Sequence, residues 1–193
     1  MKVTHAALAL SALLSTSVMA QNTQDVIQRD VNQEKRIEQG LKSGALTTKE
    51  ASKLERDESR IDKMESKALS DGKLSNAEKR RIEQEQNKVS NQIYREKHDG
   101  QTGNPDSASS KRMQADVQRN INQQERIEQG VQSGQLTSRE AGNLEHGQAR
   151  VDRKEARAGA NGHVSGAEQH AIQNAENTQS KKIHREKRNA RRD

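Results

Sequence analysis

Cysteine, tryptophan and phenylalanine are absent from the 193 residues, and proline and tyrosine occur once each. Without cysteine the chain forms no disulfide, offers no thiolate to a soft metal and has no cysteine for lipid attachment. Without aromatic rings there is no platform for stacking bases, so nucleic acid is not an expected partner. Apolar residues make up 28% against 32% charged ones, which leaves little material for a core. Long apolar runs are missing too. The longest, Ala6 to Leu14, follows Lys2 and precedes Val18 and Ala20, small residues at the spacing of a cleavage site. Residues 1–20 therefore read as a signal peptide cut after Ala20, not as a membrane span, and the expected location is periplasmic or secreted.

What is present is a repeat. Residues 24–98 align with 114–188 at a constant offset of 90 without a gap; "RIEQGLKSGALTTKEASKLE" becomes "RIEQGVQSGQLTSREAGNLE". Between the copies, "DGQTGNPDSASSKRM" carries the single proline and a Gly/Ser excess. The expected organisation is a first helical repeat over 21–98, a flexible linker over 99–113, a second repeat over 114–188 and a basic tail over 189–193.

Within a copy the punctuation is helical. Val26, Ile27, Val31, Ile37 and Leu41 fall on one helix face, and Ala51, Leu54, Ile61, Met64 and Ala68 on another. Ile82, Val89 and Ile93 make a narrower seam of coiled-coil type. Thr47 with Glu50 and Ser75 with Glu78 spell capping boxes. Glu38 with Lys42, Asp57 with Arg60 and Glu85 with Lys88 are opposite charges at helix spacing. No stretch alternates with period two. The predicted fold is all-α, two tandem copies of a three-helix antiparallel unit, with no sheet.

One stretch raises the question of a metal. "LSDGKLSNAE" resembles the second half of an EF-hand loop: with Gly72 as the turn glycine, Asp71 and Glu78 take the positions of calcium ligands and Leu74 that of the apolar residue. The resemblance implies weak calcium-like binding through Asp71 and Glu78. The positions that should carry the first ligands hold Lys67 and Leu69. Thr47 to Ala68 contains neither proline nor glycine, so as one helix it spans about 33 Å and holds the Gly44 and Gly72 corners apart. The same residues also read as a turn, with a left-handed glycine, an apolar plug and a hydroxyl–carboxylate cap.

The other constellations are sparser. His146, His163, His170 and His184 lack the spacing of a closed ligand set and read as solvated. Lys181, Lys182, Arg185, Lys187, Arg188, Arg191 and Arg192 form the one locally basic patch and a candidate surface for anionic envelope components or other polyanions. No nucleophile–base pair, carboxylate dyad or phosphate-cradling loop is discernible, so no catalytic role is expected. The chain also resembles small exported helical repeat proteins of Gram-negative bacteria, which carry no assigned activity. That likeness implies a non-enzymatic binding or scaffolding module, its partner a protein or envelope component. No resident cofactor is expected beyond weak calcium. The Ile82, Val89, Ile93 seam invites another helix, from the other repeat or a second copy.

Overall fold

The computed structural model describes the backbone of residues 8–189 and the side chains of 21–189. The side chains of the signal expected over 1–20 and the end of the basic tail lie outside the described residues. The chain is all-α: α1 (Leu8–Ser43), α2 (Thr48–Ala68), α3 (Asn76–Glu96), α4 (Ala108–Gln132), α5 (Ser138–Ala158) and α6 (Gly166–Arg188). There is no strand among the described residues, and none of the described helices is long and apolar enough to cross a membrane.

The helices begin and end where local chemistry requires it. Thr47, Ser75, Thr137 and Ser165 each accept from the backbone three residues on, while the glutamate there reaches back to the cap, closing four capping boxes. The glycines at the four corners, Gly44, Gly72, Gly134 and Gly162, have φ between 68° and 89°, the left-handed region that lets a helix stop sharply. The helix-spaced ion pairs Glu38–Lys42, Asp57–Arg60 and Glu85–Lys88 are all formed.

Each repeat thus supplies three helices, but the most extensive packing runs between the repeats. α2 lies along α5 and α1 along α4, while α3 covers α1 and α2 from outside and α6 covers α4 and α5. A Cβ on Gly142 would sit 2.7 Å from the Leu69 Cβ, and one on Gly159 would sit 2.7 Å from the Ser52 Cβ. Leu69 is the counterpart of Gly159, and Ser52 of Gly142. The two contacts are therefore one contact repeated about a twofold axis, with α2 and α5 antiparallel. Ser59 Oγ donates to the Ala149 carbonyl at 2.7 Å near that axis. The Ile82, Val89 and Ile93 seam is buried within the chain, where α3 meets α1 and α2.

The segment expected as a flexible linker is held at both ends. The Gly103 N–H donates to the Gly44 carbonyl at 2.8 Å, with the Leu46 carbonyl against its Cα, and from Ala108 the chain is already α4, ending this stretch on the fully buried Met113.

Candidate metal centre

The four inner helices are covered on nearly every side, so residues that a surface helix would turn to water are enclosed here. Asp30 and Glu34 of α1, Glu55, Glu58, Asp62 and Glu65 of α2, and Glu145, Asp152 and Glu155 of α5 are none of them more than 3% exposed. Burying one ionised carboxylate without a partner costs several kcal/mol. Among the described residues none of these nine pairs with a lysine, arginine or histidine; the help they receive is long-range, from Arg29 to Asp30 and Arg153 to Asp152.

The acids gather into two triads. One oxygen from each of Asp30, Asp62 and Glu65, and likewise from each of Glu34, Glu55 and Asp152, can be chosen so that all lie within 4.8 Å of one another. In the first triad the oxygens divide into two kinds. Asp30 Oδ1 and Glu65 Oε1 accept from the Gln86 amide at 2.7 and 3.3 Å, and Asp62 Oδ1 from Gln124 at 3.5 Å. The second oxygens, Asp30 Oδ2, Asp62 Oδ2 and Glu65 Oε2, are sealed from solvent with no donor in reach except the neighbouring acids. One anchored oxygen and one open oxygen per carboxylate is the arrangement that outer-shell amides impose on metal ligands. In the second triad Glu34 Oε2 and both Glu55 oxygens are open, while Asp152 Oδ1 takes the Asn120 amide at 3.3 Å.

The twofold supplies an internal control. The counterparts of Asp30, Asp62 and Glu65 are Asn120, Asp152 and Glu155, and there Asn120 Nδ2 donates to both acids, at 3.3 and 2.9 Å. The counterparts of Glu34, Glu55 and Asp152 are Gln124, Glu145 and Asp62, and there Gln124 Nε2 donates to Glu145 at 3.0 Å and Asp62 at 3.5 Å. The exchange recurs outside the core: Glu50, Glu96 and Asp99 cluster at one end of the bundle, and at their counterparts Asn189 Nδ2 donates to Glu140 and Glu186 at 2.7 and 2.9 Å. In each pair of positions the second repeat meets the acids with an amide hydrogen where the first meets them with another acid.

Without a cation such a core must hold protons. Burial pushes the carboxyls of Asp30 and Asp152 up to about 7, and desolvation reinforced by neighbouring acids holds those of Glu34, Glu55, Glu58, Asp62 and Glu65 well above the ordinary range. Asp62 and Asp152, one from each repeat, share a hydrogen bond, as do Asp30 and Glu65. A second acidic pocket in the later repeat is treated differently. Glu176 is raised to about 8, by burial and by Asp116, yet it faces Arg119 Nε at 3.0 Å.

The residues singled out from the sequence lie elsewhere. Asp71 is exposed, and its Oδ1 accepts from the Lys73 N–H at 2.8 Å. Glu78 Oε2 accepts from Ser75 N–H and Oγ at 3.1 and 2.6 Å, as a capping residue does. Neither joins a group of three or more ligating side chains among the described residues. Of the basic patch, Lys182 Nζ donates to the Asn143 carbonyl at 2.5 Å and Lys187 Nζ to that of Arg126 at 3.0 Å. Both ammonium groups are lowered, chiefly by partial burial. Lys181, Arg185 and Arg188 are exposed, and Arg191 and Arg192 lie outside the described residues. The four histidines are on the surface.

Sequence reasoning passed over the core acids, although they left a trace. Glu55, Glu58, Asp62 and Glu65 follow one another at helical spacing, with no basic residue four positions away from any of them. On a solvated face such like charges repel. No family model, curated protein or solved structure matches this chain.

Proposed function

We propose that this is a non-enzymatic binding protein for hard metal cations, holding them in the carboxylate core where its two three-helix copies meet. The observation that carries the reading is the set of sealed carboxylate oxygens on Asp30, Asp62, Glu65, Glu34 and Glu55 that meet no amide, hydroxyl or cationic donor and face only other acids, beside counterpart positions where an amide meets the equivalent acids. The donor set is all oxygen and anionic. It favours calcium, magnesium, manganese and trivalent oxophilic ions over copper or zinc, which gain more from imidazole and thiolate. Binding would replace acid protons with metal charge and couple ion uptake to the mating of the repeats, since Asp152 comes from the second and the other ligands from the first. Export through the signal over 1–20 would place this activity in the envelope or outside the cell, as a buffer or carrier of such ions.

The test is calorimetric titration of the metal-stripped chain at neutral pH with lanthanum(III), manganese(II), calcium(II) and zinc(II), alongside thermal melts. The expected result is binding of at least one hard cation, release of protons to the buffer and a raised melting temperature, with zinc weaker. Failure of every hard ion to bind or to shift the melt would refute the reading.

A further inference from the structure

We infer that the core takes two ions side by side, one on Asp30, Asp62 and Glu65 and the other on Glu34, Glu55 and Asp152, and that Asn120 and Gln124 close the two equivalent positions across the twofold. The inference rests on the cation-binding reading above and adds to it a number and a reason for that number.

The twofold generates four related triads in the core, each with one residue from α1 or α4 and two acids from α2, from α5 or from one of each. If acidity alone decided, all four would compete for ions. In two of them the α4 residue is an amide whose N–H hydrogens already point at the acids, at 2.9 to 3.3 Å for Asn120 and 3.0 to 3.5 Å for Gln124. A cation placed there would face hydrogens of positive partial charge and would lack one of three negative ligands. The two α1 triads have an acid at that place instead, with open oxygens. Their connection is direct. Asp62 belongs to one and Asp152 to the other, and these two side chains lie against each other, so the ions are neighbours.

The experiment counts ions per chain by equilibrium dialysis against lanthanum(III) and, separately, manganese(II), followed by elemental analysis. It compares the native protein with Asp30→Asn, Glu34→Gln, the double variant, and Glu145→Gln. The first two copy the amides that the second repeat already carries at these places, so the fold has precedent for them; helical content by circular dichroism checks it. Counts are read as differences, so an ion held at the Glu50, Glu96 and Asp99 cluster outside the core cancels. The expected result is a loss of one ion for Asp30→Asn, one for Glu34→Gln and two for the double variant. Glu145→Gln, equally buried but in a closed triad, leaves the count unchanged. Two ions lost in either single variant, or a loss in Glu145→Gln equal to that in Asp30→Asn, would overturn the inference. Should Asp30→Asn not fold, Glu34→Gln decides alone: one ion lost supports two sites, and none or two lost overturns them. A native protein that binds neither probe sinks the cation reading itself, an outcome distinct from a wrong count.

Discussion

The two repeats occupy equivalent places in one bundle, yet on α1 and α4 they treat buried negative charge in opposite ways. Around α4, Asn120 and Gln124 turn amide hydrogens toward the acids of α5 and α2, and Glu176 has the Arg119 guanidinium. Around α1 the same positions hold Asp30 and Glu34, and acid faces acid. A chain selected only to fold would gain by using the second solution twice, since an uncompensated buried charge is among the costliest things a core can contain. Retaining the first solution in one half makes sense when a cation completes it. Without an ion, the Asp30→Asn, Glu34→Gln double variant should therefore be more stable than the native protein at neutral pH, by about 1–4 kcal/mol. With ion at a hundredfold excess over its dissociation constant the order should narrow or reverse, because only the native core gains the roughly 2.7 kcal/mol that binding confers. Denaturant melts in chelator and in lanthanum(III) check both; a double variant less stable in chelator would break the comparison.

The acids shared by the two halves should also set the protein's response to pH. Asp30 and Asp152 rise from an ordinary 3.8 to about 7 in the folded protein, so between those values the folded state binds more protons than the unfolded one. Their contribution is then complete below the unfolded value and is lost as the pH climbs through the folded one. The metal-stripped protein should melt highest in acid and progressively lower from about pH 4 to beyond pH 7, the reverse of ordinary acid denaturation. Replacing Asp30 by Asn should flatten that slope. Added ion should invert it, since ligands must be deprotonated to bind. A metal-stripped melting temperature that rises from pH 5 to 8 would show that the acids are better solvated than their burial implies.

Much of the fold could be read from the sequence because local rules govern it. The four capping boxes, the left-handed corner glycines and the three helix-spaced ion pairs lie within a few residues of their partners, and all are formed. The mating of the repeats is encoded at long range, in glycines that a local reading counts only as missing apolar mass. Gly159 stands where the first repeat has Leu69, and read locally it weakens the second copy. In the bundle it is the place where Ser52 and the Thr48 carbonyl close in, at 2.7 and 3.2 Å from any added Cβ, just as Gly142 receives Leu69. The core acids were hidden for a related reason: hydropathy assigns glutamate to water, and nothing local reveals that α2 turns only its stripe of Lys49, Arg56, Arg60, Lys63 and Lys67 to water and its acids inward. Gly142→Ala and Gly159→Ala should each cost about 1–3 kcal/mol through the α2–α5 interface, by comparison of denaturation midpoints. Equal losses at the two sites would support the twofold. A tolerated alanine at either would mean that the helices are less closely apposed.

The smallest effect sharpens the comparison from outside the core. Asp71 and Glu78 resemble calcium ligands by spacing, while Asp30 and Glu34 belong to no such motif; the geometry reverses the ranking. Glu78 holds the Ser75 N–H and hydroxyl and sits in the first turn of α3, where a negative charge also meets the positive end of the helix dipole. A glutamine there can still reach the cap but loses the charge, so Glu78→Gln should cost about 0.5 kcal/mol, by the same amount in calcium as in chelator. Asp30→Asn should do the opposite, leaving the chelated protein no weaker and diminishing the gain from added ion. If instead Glu78→Gln removed an ion-dependent shift in melting and Asp30→Asn did not, the cation would belong to the corner loop, and the open carboxylates between the repeats would be a proton store with no metal to receive.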